Sequence, residues 1–138
     1  MVSHDSLVAA PPDEVFAYLA DFPRHWNLLP GVVDVVEADD TGALLRLHGP
    51  LGVRRTVRTR VTRAHPPLEL AGRARTADGS VAVVRWALSP VGGQTRVRLS
   101  AEVERTSKLD RALLAMGGER WLDRALARAV ARLELVAA

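Results

Sequence analysis

The sequence predicts an α+β protein: a seven-stranded antiparallel sheet, a long C-terminal helix, and two short helices between strands 1 and 2. Three observations predict it. Residues 53–64 and 95–105 alternate strictly. Val57, Thr59 and Val61 oppose Arg58, Arg60 and Thr62, and Val97, Leu99, Ala101 and Val103 oppose Arg96, Arg98, Ser100 and Glu102. Such alternation describes a sheet with one apolar and one solvated face. Turn signals then separate neighbouring strands by only a few residues, too few for parallel crossovers. From about residue 107 the apolar spacing changes to that of a helix. The 138 residues suffice for a single domain, 1–138.

The elements follow in order. Residues 2–9 read as a first strand. Pro11-Pro12 then opens a helix, because a proline in the first turn gives up an N–H that has no partner there. Asp13 and Glu14 place negative charge at that end. Val15, Phe16, Leu19 and Phe22 recur at helical spacing. Pro23 is expected to stop this helix. His25–Leu29 then has room for one more turn before Pro30-Gly31. Strands are predicted at 32–38, 43–48, 53–64, 68–75, 80–88 and 95–105. Between them lie Asp39-Asp40-Thr41-Gly42, Gly49-Pro50-Leu51-Gly52, Pro66-Pro67, Asp78-Gly79 and Gly92-Gly93. In the C-terminal segment Leu109, Leu113 and Met116 share one stripe, and Leu122, Leu126, Ala129, Val130 and Leu133 another. The stripes differ in phase by roughly a third of a turn, which predicts a break or kink at Gly117-Gly118.

Composition removes several function classes. There is no Cys, which excludes thiolate chemistry, disulfides and Cys-ligated zinc. Aromatic residues are 4%, too few for a base-stacking platform, which argues against nucleic acid. No Gly-rich phosphate loop and no nucleophile elbow is present. The four His (His4, His25, His48, His65) lack metal-ligand spacing, so no metal or cofactor is expected. Met1–Val8 is too polar for a signal peptide, and no apolar run approaches the ~18 residues of a membrane span, so a cytoplasmic protein is expected. Of the 19 Lys and Arg, all but Lys108 are Arg. No acid occurs from Thr41 to Leu68, and Arg120, Arg124, Arg128 and Arg132 repeat every four residues. That charge pattern suits an acidic partner or an anionic membrane surface, or else a plainly solvated face.

Three stretches carry a family resemblance. They are A-A-P-P-D-E-V-F-A-Y-L-A-D-F-P-R-H-W at 9–26, the strand end W-A-L-S-P at 86–90 followed by G-G-Q-T-R-V at 92–97, and the long C-terminal helix. Together they resemble the START-like helix-grip superfamily, also called SRPBCC, over nearly the whole chain. Two branches look similar. One is the polyketide cyclase/dehydrase-like group. The other is the group of small carbon monoxide dehydrogenase subunits, with its comparable Gly49-Pro50-Leu51-Gly52 turn and glycine-containing last helix. The resemblance implies a curved sheet wrapped around the last helix, with a cavity between them for a small hydrophobic or amphipathic ligand, lipid-like or polyketide-like.

On that fold, Val57, Thr59, Leu70, Trp86 and Leu99 are expected on the cavity side of the sheet. Leu122 and Met116 are expected on the helix side, and Trp26 and Leu29 where the short helices close the end. Trp26 is a candidate gate. Strand parity leaves two arrangements for residues 43–48. If Leu44 faces inward, Arg46 and His48 enter the cavity and become candidates for proton transfer. If Leu45 and Leu47 face inward, both polar groups are solvated, the arrangement that the cost of burying charge favours. His25 reads either as a surface residue or as a cover for the cavity mouth. Three functions follow: binding of a hydrophobic ligand; a polyketide cyclase or aromatase with acid–base groups in the cavity; or a recruitment factor, like the carbon monoxide dehydrogenase group, that uses its Arg surfaces.

Overall fold

The structure, a computed structural model, describes residues 1–137. Strand β1 (Val2–Val8) leads into helix α1 (Pro12–Ala20) and the short α2 (Phe22–His25), which runs on into a 3-10 turn at Trp26–Leu28. Six strands follow: β2 (Val33–Ala38), β3 (Gly42–His48), β4 (Arg54–His65), β5 (Glu69–Thr76), β6 (Val81–Val91) and β7 (Gln94–Arg105). The C-terminal helix comprises α3 (Lys108–Leu113), a π-type turn at Leu114–Gly118, and α4 (Glu119–Val136).

All seven strands form one antiparallel sheet in the order β1-β7-β6-β5-β4-β3-β2. The order is a meander from β2 to β7, with β1 added beside β7. Tight turns make this possible. Gly92 and Gly93 both have positive φ, at 54° and 85°, as a two-residue hairpin loop of this hand requires. Register shifts in β2, β4 and β6 mark bulges, which bend the strands they interrupt and help curve the sheet. At Gly42 a Cβ would lie 2.1 Å from the Thr59 carbonyl oxygen, so only glycine lets β3 approach β4 there.

Prolines shape the two short helices, though not quite as the sequence suggests. Pro12 occupies the first turn of α1. The break falls at Asp21 (φ −86°, ψ 86°), and Pro23 lies inside the first turn of α2 instead of between the helices. A proline is as well tolerated there as at the start of α1.

One end of the molecule is filled. Val8, Val15, Leu19, Leu28, Val97, Leu99 and Leu133 are essentially inaccessible to solvent and form one cluster with Phe16, Trp86 and Leu126. α4 packs chiefly on β1, on β7 and on the 3-10 turn. His4 of β1 meets Asp123 of α4 at 2.9 Å, an exposed link across the same contact. The inner face of β3–β5 therefore lies beyond the helix's main contacts. A smaller cluster of Val33, Ala43 and Leu45 packs there with Trp26 and Leu29.

The phase change in the C-terminal helix is a real break. Met116 (φ −98°, ψ 21°) and Gly117 (φ 102°) leave helical geometry. Met116 is consequently turned outward and 61% exposed, and Leu109 is exposed as well, so of that stripe only Leu113 is buried. No helix among the described residues is long and apolar enough to cross a membrane.

Candidate functional site

The space left between the sheet and the helix is a cavity of about 330 Å³, within the ~300–1,000 Å³ range of small-molecule sites. Its floor is the inner face of the sheet. Small side chains make it hollow. Gly72, Ala74, Ala82 and Ala101 all line it, and Ala74 pairs directly with Ala82 across β5 and β6. Where the floor carries larger groups, Leu70, Trp86 and Leu99 form one row across three strands, with Trp86 opposite both leucines. Trp86 is only 4% exposed. Leu122, Leu126 and Ala129 of α4 form the roof, and Trp26, Leu28 and Leu29 close one end.

Nearly every expected wall residue stands in this wall: Trp26, Leu29, Val57, Thr59, Leu70, Trp86, Leu99 and Leu122. The exception is Met116, which the break at Gly117 carries to the surface and out of the wall. The Thr59 hydroxyl is already committed. It accepts from the Ala43 N–H at 3.0 Å and donates to the Ala43 carbonyl at 3.3 Å, so it braces β3 instead of facing a ligand unpaired.

Arg46 and His48 are not cavity groups. Leu45 and Leu47 take the inward positions of β3, Arg46 is exposed, and the His48 ring bonds Asp34 of the neighbouring strand at 2.7 Å. This arrangement spares the cavity an unpaired charge. It also removes both residues as candidates for acid–base chemistry inside.

Two polar features do reach the cavity. The first is built around Arg55, one step along β4 on the same face as Val57 and Thr59. Its side chain is 10% exposed and lies 2.6 Å from Asp110 and 2.5 Å from Asp78. Asp110 also accepts from the Ser80 hydroxyl, while its own N–H donates to Ser107 at 3.1 Å, the N-cap of α3. The cluster thus ties the start of α3 to β4 and to the β5–β6 hairpin. The Thr76 hydroxyl, with Ser107 and the Arg55 charge adding to it, holds the Asp78 carboxyl below the usual carboxylate range. Alternation already puts Val57 inside, and extending it by two residues identifies Arg55.

The second feature is His25, which corrects the surface reading. It is 7% exposed and lines the cavity, with its ring edge-on to Trp86 at a centroid distance of 5.7 Å. Its Nδ1–H donates to the Leu19 carbonyl at 2.7 Å, which fixes the proton on Nδ1 and leaves Nε2 as an acceptor. Burial is the main cause that pushes its pKa down to about 4, so the ring is neutral near pH 7. Beside it the Trp26 indole N–H is buried without a partner. No periodicity in residues 22–29 signals this pair, because α2 is only four residues long. Among the described residues no cluster of ligating side chains suits a metal ion.

The sequence matches the family model described as polyketide cyclase / dehydrase and lipid transport over residues 2–138. No curated protein matches it. Several solved structures share the fold. A protein of Thermus thermophilus is 20% identical with a TM-score of 0.68, over 99% of this chain and 95% of that one. An Arthrobacter aurescens protein solved by NMR is 17% identical with a TM-score of 0.74, over 98% and 84%. The Zhui aromatase/cyclase of Streptomyces sp. R1128 is 19% identical with a TM-score of 0.69, over 99% and 92%.

Proposed function

The chain belongs to the polyketide cyclase / dehydrase and lipid transport family, and from that premise we propose that it binds one small, predominantly apolar molecule between the sheet and the C-terminal helix. The observation that carries this reading is the cavity of about 330 Å³, walled mainly by Leu, Val, Ala and Trp side chains and left open by alanines and a glycine on its floor. Burial of apolar ligand surface drives binding at roughly 25 cal/mol per Å². Native mass spectrometry of gently purified protein tests it. A single organic adduct per chain, identified after extraction, is the expected result. Protein that carries nothing and takes up no medium-chain alcohol contradicts it.

A second reading, a cyclase acting on a folded polyketide chain, is favoured by one observation: ionisable groups from opposite ends reach the same apolar space. Arg55 with Asp110 stands at one end and neutral His25 at the other. Nε2 of His25 is suited to accept a proton, and the walls to holding a reactive chain in a productive fold. Loss of turnover of a poly-β-ketone substrate in His25→Leu, with unimpaired substrate binding, supports this reading. Unchanged turnover removes His25 from any mechanism.

A further inference from the structure

A second depression, of about 220 Å³, lies against the roof of the cavity. It is lined by Arg120, Arg124 and Arg128 of α4 together with Gly117, Trp121, Val32 and Ala125. Val32, Trp121 and Ala125 belong to both walls, so the two spaces are neighbours across single side chains. The three arginines are exposed and, among the described residues, none forms an ion pair. Like charges four residues apart on a helix repel and cost stability. The nearby acids do not compensate. Asp123 is taken by His4 at 2.9 Å, Asp34 by His48 at 2.7 Å, and Glu119 pairs with none of the three. Arg132 continues the row but donates to the Asn27 carbonyl at 3.2 Å, outside the groove. Gly117, with its positive φ and no side chain, leaves the upper end of the groove open.

A concave site with three uncommitted guanidinium groups suits an oxygen anion, which Arg binds with two parallel hydrogen bonds. Its shared wall with an apolar cavity suits one molecule with two unlike ends. We propose that the Arg120–Arg124–Arg128 groove binds the anionic head of a single-chain amphipath whose apolar body fills the cavity. The head is a carboxylate or a phosphate monoester. The proposal rests on the ligand-binding reading above and adds the ligand's charge and the position of its head.

The test compares dodecanoate, dodecyl phosphate and 1-dodecanol, each below its aggregation concentration, by calorimetric titration. Wild-type protein and the triple variant Arg120→Gln/Arg124→Gln/Arg128→Gln are both titrated, with circular dichroism to verify the fold. In the wild type at least one anion binds about tenfold or more tightly than the alcohol, as three exposed charge contacts allow. In the triple variant that advantage vanishes and the alcohol binds as before. Which anion gains more tells a carboxylate from a phosphate head. Equal binding of all three by the wild type, or a preference that survives in the variant, overturns the proposal and leaves the cavity reading intact. If none of the three binds, the cavity reading falls and the proposal with it. Arginine-dependent binding to phosphatidylglycerol vesicles without discrimination among the soluble probes assigns the groove to a membrane surface, and also overturns the proposal.

Discussion

His25 keeps its proton on Nδ1, shares it with the Leu19 carbonyl, and stays neutral because burial holds its pKa down to about 4. In the unfolded chain the same ring takes up a proton at its ordinary pKa of 6.5. The unfolded state therefore binds more protons between those two values. Stability is full above pH 6.5 and falls as pH drops towards 4, by roughly 3 kcal/mol in all. Urea unfolding at pH 7.5 and 4.5 measures the loss, and His25→Phe flattens it. The carboxyls of Asp5, Asp39 and Asp78 are held below 3.8, so they do not confuse that window. Arg55 makes a second prediction. Its replacement by Met strands Asp110, which is largely buried, and costs roughly 2–3 kcal/mol. Arg55→Met/Asp110→Leu recovers part of that, as denaturant midpoints will show. Of these residues, only Arg55 is legible from strand parity. The partners of His25 come from β6 and from its own helical neighbours, so no spacing rule brings them together.

At the scale of elements, what the sequence shows best is where regular structure stops. Proline pairs, Asp-Gly and Gly-Gly act through local backbone geometry, so each strand lies within a few residues of its expected bounds. The helix phase change at Gly117-Gly118 is legible for the same reason. Its consequence for Met116 is not, because the direction of a side chain depends on how the two halves rejoin. Gly118 has helical φ and ψ (−61°, −29°), and helix propensity alone predicts that Ala there stabilises by about 1 kcal/mol. Packing predicts the reverse. A Cβ at Gly118 would sit 2.7 Å from the Leu113 carbonyl oxygen, inside the tightened π-type turn. Gly118→Ala is expected to destabilise by roughly 1–3 kcal/mol, as overpacking does. A rise in thermal midpoint would show that the turn relaxes freely.

For the whole molecule, the sheet and the helix each bring an apolar face, but they meet fully only at the β1–β7 side. The sequence announces the faces and not the gap between them. A gap depends on small side chains on adjacent strands, and Gly72, Ala74 and Ala82 reveal nothing until their register is known. Phase alone places Trp26, Leu70, Trp86 and Leu99, because an inward position is core or cavity wall according to what lies opposite. The central claim is that the space opposite Ala74 holds a ligand. Titration of wild-type protein and Ala74→Phe with 1-decanol, followed by thermal midpoint, tests it most directly. A ligand that binds only the folded state raises the midpoint as its concentration grows. The wild-type midpoint should rise with decanol, and that of Ala74→Phe, folded but filled, should not. Equal responses in both proteins, or none in the wild type, would contradict the account.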